Sequence, residues 1–449
     1  MSVQEAPPTT PGRPSPFAGP RPAVALLLAI NLFNYIDRYI LAAVEGDISK
    51  EIFPPGSVDA DNAKTKMGLL FTAFLISYMV LAPFFGFLAD RWRRWVVIGL
   101  GVTLWSVASA GSGLATTFTI LLLMRVMVGV GEAAYGPTAP TIIADLYPVE
   151  RRGSVLAWFY AAIPVGSALG YVIGGQVSHL LSWHWAFFVT LPPGILLAVL
   201  CFMHKEVPRG RADAKPGVKF TFADYRVLLR TPSYVYNTIG MTAMTFAIGG
   251  ISAWAPTYFV EHRMPTPPTP EAASAMKASV NTTFGGILVV AGRLAPLAGG
   301  YAADWLKPRF SGSYFLVSGL SMLLGFPFFL GVLYAPFPLA WVFVFLAIFC
   351  LFFNTGPSNT IVSNVTSPAI RASAYAILIF IIHLLGDAIS PVIIGAITDR
   401  TKSPAHPSGN MTLAFLVVGF TILLGGVFWL LGTPHLARDT KRVSGEPAT

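Results

Sequence analysis

Twelve long apolar runs divide the chain and constrain its fold more than any other feature. Each is long enough to cross the hydrocarbon core of a bilayer, which takes about 20 residues of helix. A backbone inside lipid must satisfy its own hydrogen bonds, so we predict an all-α membrane protein with twelve transmembrane helices, called spans 1 to 12. The runs cover residues 22–45, 66–89, 95–115, 117–145, 153–181, 185–205, 233–260, 277–304, 313–335, 338–366, 371–398 and 410–432.

The composition supports a membrane protein and argues against other classes. Of 449 residues, 54% are hydrophobic and only 11% are charged, whereas soluble domains average about 25% charged residues. The net charge of +9 is spread between the apolar runs rather than clustered on one module, so no nucleic-acid partner is expected. Neither a catalytic motif, nor a phosphate-binding loop, nor a metal-ligand spacing occurs. We therefore expect no enzyme, no metal, no cofactor and no ATP drive.

The distribution of positive charge predicts the orientation of the spans. With the N-terminus inside, 20 of the 30 Lys and Arg residues lie on the cytoplasmic side and 7 lie on the opposite side. This bias follows the positive-inside rule and predicts that both termini are cytoplasmic. Brief loops and little soluble appendage favour the inner membrane of a bacterium.

The chain repeats itself weakly in two halves of six spans. Span 2 ends in GFLAD (Gly86–Asp90), and span 8 ends in GYAAD (Gly300–Asp304). Parallel six-span repeats with a binding site between them are typical of major facilitator transporters. The predicted parts are a disordered cytoplasmic tail (1–21), an N-terminal six-helix bundle (22–205), a cytoplasmic linker (206–232), a C-terminal six-helix bundle (233–432) and a cytoplasmic tail (433–449).

Several stretches resemble known families. GFLADRWRRW resembles the loop 2–3 signature of the major facilitator superfamily, with Arg93 and Trp95 departing from it. Three longer stretches resemble the spinster subgroup: NYIDRYILAAVEGDI in span 1, GEAAYGPTAPTIIADLYPVERRGSVLAWF from span 4 into span 5, and HLLGDAISP in span 11. The resemblance implies two pseudo-symmetric bundles that translocate an amphipathic lipid, such as a lysophospholipid or a sphingoid compound, coupled to a proton or another cation.

Adjacent charges in span 1 are the first functional candidates. Asp37 and Arg38 lie inside an apolar run, where a charge is costly and tends to face a watery cavity. Neighbouring helix residues point about 100° apart, so the two side chains need separate partners. Asn34 lies within one turn of both. Alternatively, Arg38 extends outward to the membrane surface.

A second pair of charges in span 4 completes a predicted cluster. Arg125 and Glu132 are seven residues apart and share a helix face. We expect Arg38 to bind the anionic head of the substrate and Asp37 to carry the proton, with Glu132 as their shared partner. The alternative is a static network of ion pairs that joins two helices. The predicted substrate-binding residues are Asn34, Tyr35, Arg38, Arg125, Glu132 and Arg293.

Two further sites are predicted in the C-terminal half. His383 and Asp387 lie four residues apart in span 11, and the pKa range of histidine suits proton handling. The predicted proton-coupling residues are therefore Asp37, Glu132, His383 and Asp387. Arg293 in span 8 is as consistent with a structural pair as with substrate contact.

Charged residues at the cytoplasmic ends of spans 2 and 8 predict an inner gate. We expect this gate to close the cytoplasmic side in the outward-open state. It comprises Asp90, Arg91, Arg94, Asp304 and Lys307.

A glycine strip in span 5, Gly166, Gly170 and Gly174, permits close helix crossing. We expect it to face span 8, either as a seam that parts to admit lipid or as ordinary tight packing.

Other functions remain open at this point. A transporter of a small organic anion, such as a sugar phosphate or carboxylate, is the main alternative, and an uncoupled facilitator is another. A channel is disfavoured because two repeated halves with asymmetric buried charge suit alternating access better than a fixed pore. We expect a monomer.

Overall fold

The computed structural model describes residues 19–147, 149–208, 222–367, 370–404 and 407–444. In these residues, twelve helical segments are long and apolar enough to cross a membrane. The prediction of an all-α protein with twelve transmembrane helices is confirmed. Most of the predicted N-terminal tail, the middle of the linker and the last five residues lie outside the described ranges.

The first half contains spans 1 to 6. Span 4 consists of two helices because Pro137, which has no amide hydrogen, follows the end of the first. The helices are α1 (Pro20–Ile52), α2 (Ala63–Arg91) and α3 (Arg94–Ser112) for spans 1 to 3, α4 (Phe118–Tyr135) with α5 (Thr138–Leu146) for span 4, α6 (Val149–Leu180) for span 5, and α7 (Trp183–Phe188) with α8 (Leu191–Met203) for span 6.

The second half contains spans 7 to 12. A short helix, α9 (Phe222–Leu229), precedes it, and α18 (Leu436–Ser444) follows it. The other helices are α10 (Pro232–Tyr258) for span 7, α11 (Pro270–Leu306) for span 8, α12 (Ser313–Tyr334) for span 9, α13 (Leu339–Phe353) with α14 (Thr355–Val365) for span 10, α15 (Arg371–Ile382) with α16 (Ser390–Arg400) for span 11, and α17 (Met411–Gly432) for span 12. Spans 7 and 11 also contain π-helical turns, Phe259–Arg263 and His383–Asp387.

The glycine strip of span 5 contacts span 1, not span 8 as predicted. A methyl group added at Gly166 or Gly170 would lie 2.5 Å from a carbonyl oxygen of span 1. Span 5 does contact span 8, but through other residues: Gly285 of span 8 meets Ala168, and Gly292 meets Pro164. The strip therefore joins two helices of the same half, because close crossings need small residues wherever two backbones meet.

Gly170→Ala is expected to destabilise the protein by about 1–3 kcal/mol, since the added methyl group would overlap the Ile36 carbonyl oxygen. Thermal unfolding in detergent, followed by tryptophan fluorescence, measures the change. Gly286→Ala is the matched control, because it lies in a helix with nothing within 4 Å of the added methyl group. Equal unfolding temperatures for the two variants would contradict the packing argument.

Contacts between the halves cluster at the outer end of the molecule. The Thr65 hydroxyl donates to Asp399 at 2.8 Å, joining spans 2 and 11. The Gln176 amide donates to the Thr282 hydroxyl at 3.0 Å, joining spans 5 and 8. Lys277 of span 8 pairs with Asp47 of span 1. The molecule is therefore closed on its outer side.

In the described residues, we find no hydrogen bond or ion pair that links the predicted inner-gate residues of one half to the other half. Asp90, Arg91 and Lys307 are exposed, and Asp304 accepts a hydrogen bond from Tyr314 of its own half at 2.6 Å. Because the predicted gate belongs to the outward-open state, it stays a prediction.

Arg94 has a structural role within the first half. Its guanidinium is buried and pairs with Asp145 at 2.5 Å and with Glu206 at 3.0 Å. It also donates to the Val207 carbonyl oxygen at 2.7 Å. Arg94 therefore fastens the start of the linker to spans 3 and 4, so it differs from the exposed residues of the inner gate.

Candidate functional site: a central cavity

A cavity of about 150 Å³ lies between the two halves. A water molecule needs roughly 10–15 Å³ of such space, so the cavity can hold several waters or a small group of ligand atoms. Most of its lining is apolar or aromatic, and the charged groups enter from spans 1, 4 and 11. The predicted residues that line it are Tyr35, Arg38, Arg125, His383 and Asp387.

Arg38 turns toward span 4 and not toward the membrane surface. Its Nη2 lies 2.6 Å from Glu132 Oε2, and its Nε donates to the same oxygen. Glu132 is 1% exposed. The rings of Tyr35 and Phe74 lie 4.9 Å from the guanidinium carbon, and that of Tyr78 lies 5.4 Å away. The guanidinium thus sits in an aromatic cage that favours a cation, with one carboxylate as its counter-ion.

Asp37 points away from Arg38, as the helix geometry predicts. Its carboxylate is fully buried and accepts a hydrogen bond from the Ser109 hydroxyl of span 3. Its second oxygen, Oδ2, is buried, and the Thr190 hydroxyl of span 6 also lies near the carboxylate. Arg125 is the positively charged residue that interacts most strongly with the Asp37 carboxylate. Asp37 and Arg38 therefore belong to two neighbouring clusters and not to one shared pair.

Glu132 is not a hydrogen-bond partner of both span 1 charges, contrary to our expectation. Among the described residues, it bonds Arg38, whereas Asp37 bonds Ser109. Asn34 is buried and interacts with Glu132. The reason is the divergence of consecutive helix residues, which sends Asp37 to span 3 and Arg38 to span 4.

Two serines of span 3 were missed by the sequence analysis. Ser109 donates to Asp37, and Ser112 accepts from Arg125 Nη2 at 2.8 Å. They lie three residues apart and therefore on one helix face. Hydroxyls at this spacing in an apolar span indicate polar contacts between helices, and that spacing is the signal that would have found them.

His383 and Asp387 form the opposite wall of the cavity. His383 Nδ1 lies 3.0 Å from both carboxylate oxygens of Asp387, across a π-helical turn. Such turns are frequent at functional sites. Both side chains are partly exposed, at 29% and 22%. The structure thus brings the predicted histidine–aspartate pair to the same cavity as Arg38.

Arg293 lies apart from this site. It is exposed on span 8, and its guanidinium carbon is 5.9 Å from the ring of Trp158 in span 5. Arg293 does not line the central cavity. The sequence alone could not decide whether Arg293 contacts substrate or forms a structural pair. In the structure, Arg293 lies where span 8 of the second half meets span 5 of the first.

The part of the cavity wall that the first half of the protein forms carries no net formal charge. Arg38 and Arg125 face Asp37 and Glu132, all of them at the level of the cavity or just behind it. An anion that enters and binds one arginine leaves a buried carboxylate without its counter-ion. Burial favours the protonated form of a carboxylate that has lost its cation. Binding of an anion at this wall would therefore favour uptake of a proton there. In the described part of the chain, no group of three or more His, Cys, Asp or Glu residues is arranged to hold a metal ion.

Comparison with known proteins identifies the family. The Major Facilitator Superfamily profile matches residues 27–391. Spinster homolog 1 of Xenopus tropicalis is 35% identical over 438 residues, which cover 93% of this chain and 81% of that protein. Spinster homolog 1 of Homo sapiens is also 35% identical, with the same coverage of both chains.

Solved structures share the fold. A bacterial homolog of the human lysosomal transporter spinster, in an inward-facing and occupied conformation, superposes with a TM-score of 0.76 at 20% identity, covering 93% of this chain and 97% of that one. A D-xylose–proton symporter gives 0.70 at 17% identity, covering 92% and 98%. The protein is an integral multi-pass membrane protein, and the bacterial relative fits the predicted inner membrane. The chain belongs to the spinster family of Major Facilitator Superfamily transporters.

Proposed function

We propose that this spinster-type transporter moves an amphipathic anionic lipid, of the lysophospholipid or sphingoid type, across the membrane by alternating access, coupled to protons. The observation that carries the proposal is the Arg38–Glu132 ion pair in a cavity lined mainly by apolar and aromatic side chains. The two six-helix bundles, residues 22–205 and 233–432, move as the two halves. The protein acts as a monomer, and no catalysis is proposed.

The lining supports recognition of a molecule with a charged head and an apolar tail. The guanidinium of Arg38 can form two parallel hydrogen bonds with one phosphate or carboxylate group. The neighbouring side chains of span 2 are apolar: Leu70, Phe71, Phe74 and Leu75 all line the same space. Burying an apolar tail against them contributes about 25 cal/mol per Å² of buried surface. A small organic anion has no apolar tail to bury against these side chains of span 2.

The ion pair supports coupling between substrate and proton. Binding of the substrate anion to Arg38 weakens the pair with Glu132, and the released carboxylate takes up a proton. Loss of that proton on the other side restores the pair and displaces the substrate. In this proposal the proton reaches and leaves Glu132 through Asp37, so coupling depends on both carboxylates. The His383–Asp387 pair is a further proton-coupling group.

Mass spectrometry of lipids that co-purify with the protein tests the substrate class. We expect wild type to retain a single-chain anionic lipid and Arg38→Ala to lose at least about nine tenths of it, because about 1.4 kcal/mol of lost binding energy is a tenfold change. Arg293→Ala is the matched control, since it removes an arginine outside the cavity. Retention of a sugar phosphate or carboxylate instead of a lipid would favour the small-anion alternative. Equal lipid in wild type and Arg38→Ala would contradict the assigned role of Arg38.

A further inference from the structure

A second buried carboxylate lies above the central cavity, at the closed outer side. Glu45 in span 1 is seven residues beyond Arg38, which is about 10 Å along the helix. Its side chain is 0% exposed. The helix that carries it extends to Ile52, beyond the apolar run that ends at residue 45. The other half shields these polar residues, and for this reason hydropathy alone ended the span too early.

Glu45 contacts both halves of the protein. Its Oε2 accepts a hydrogen bond from the Thr257 hydroxyl of span 7 at 2.5 Å. Its Oε1 accepts no hydrogen bond from a described residue and lies 3.9 Å from Lys64 Nζ of span 2. Lys64 is closer to another acid, because its Nζ donates to Glu261 Oε2 at 3.0 Å. We call these four residues, Glu45, Lys64, Thr257 and Glu261, the outer gate.

The outer gate holds two carboxylates and one lysine. Asp47 pairs with Lys277, and Asp399 pairs with Lys402 at 2.9 Å. Lys64 is therefore shared between two carboxylates, of which Glu45 is the more buried and the more distant. The other titratable groups that face this region from the packed helices are Lys50 of span 1, His262 after span 7, Lys277 of span 8 and Asp399 of span 11. An ionised carboxylate without its own counter-ion is unfavourable in a buried site.

We propose that Glu45 is a second proton-binding site, which takes up a proton from the outer solution when the outer gate closes and returns it when the gate opens. Lys64 and Glu45 belong to the first half, whereas Thr257 and Glu261 belong to the second. Opening the gate removes Glu261 from Lys64, and Lys64 then neutralises Glu45 alone. Closing it returns Glu261 to Lys64, and the Glu45 carboxylate is neutralised by a proton instead.

This site regulates the transport cycle and is separate from the central site, where a proton is taken up together with the substrate. The inference rests on alternating access, as proposed above, but not on the identity of the substrate. One proton is taken up from the outer solution and given back to it in each cycle of the gate, so Glu45 carries no net proton across the membrane. An acidic outer solution therefore favours the outward-closed state.

Distance measurements between spin labels test the proposal without substrate. Labels at Val58→Cys and Thr266→Cys report on the outer ends of the two halves, in a background without Cys201 and Cys350. Both label positions are exposed. In wild type, we expect the outward-closed fraction to fall as the pH rises. Glu45→Gln is expected to stay closed at every pH, because glutamine needs no proton.

A second variant keeps the test informative if Glu45→Gln fails to fold. In Glu261→Gln, Lys64 neutralises Glu45 in the closed state as well as in the open state. Closing then takes up no proton, so the closed fraction should lose most of its dependence on pH. Asp37→Asn, in the central site, should leave the midpoint unchanged. A wild-type midpoint retained in Glu45→Gln would overturn the proposal, as would a pH dependence that His262→Gln alone removes. If the wild-type protein transports no lipid, that result would instead overturn the proposed function.

Discussion

Arg38→Ala is expected to lower lipid transport at least about 100-fold and to destabilise the protein. Truncation leaves Glu132 buried without its counter-ion, and breaking a buried pair in this way costs about 3–5 kcal/mol. It also removes the cation that binds the head of the substrate. Transport of a labelled lysophospholipid into proteoliposomes measures the first effect, and thermal unfolding in detergent measures the second.

The double variant Arg38→Ala with Glu132→Gln separates the two roles of this pair. With both charges gone, no uncompensated charge remains buried, so we expect most of the stability to return. Transport should remain lost, because neither the anion-binding group nor its proton-accepting partner is present. Recovery of wild-type transport in the double variant would show that the pair is only a clamp between spans 1 and 4.

Asp37→Asn is expected to abolish accumulation of lipid against its gradient while downhill exchange continues. Asparagine nearly preserves the shape of the side chain, but it cannot exchange a proton, so a proton gradient can no longer do work through this site. The expected steady-state ratio of inner to outer lipid is about one, whatever pH gradient is imposed, because no coupling free energy remains. Uptake in proteoliposomes with an imposed pH gradient provides the measurement.

Ser109→Ala is the matched control for Asp37→Asn. It removes the hydrogen-bond donor to the Asp37 carboxylate but keeps the titratable group. We expect this variant to accumulate lipid, at an altered rate. If Asp37→Asn accumulates lipid as wild type does, then the coupling proton binds elsewhere, and Glu132 or the His383–Asp387 pair becomes the leading candidate.

Most of the architecture could be predicted because the bilayer leaves few choices. A backbone in lipid must be helical or part of a closed barrel, so long apolar runs translate directly into spans. The break in span 4 at Pro137 was not predicted, since prolines such as Pro83 and Pro296 lie inside continuous helices of the same protein. The extension of span 1 to Ile52 was not readable, because its outer polar residues are shielded by a half that is distant in sequence.

The site could be predicted only in part, since helix periodicity gives faces and not partners. It showed that Asp37 and Arg38 diverge, and the structure supplied the helices that receive them. It could not show that the glycine strip of span 5 meets span 1 at Ile36. Likewise, it could not show that Arg94 is buried and pairs with Asp145. The choice of partner depends on how the twelve helices are arranged, and a single sequence does not encode that locally.

Lipid accumulation by the wild-type protein in proteoliposomes tests proton-coupled lipid transport most directly. The account predicts that a single-chain anionic lipid accumulates only while a pH gradient is imposed, and that collapsing the gradient with a protonophore returns the ratio to about one. Transport of the lipid at the same rate and to the same ratio with and without the gradient would contradict it.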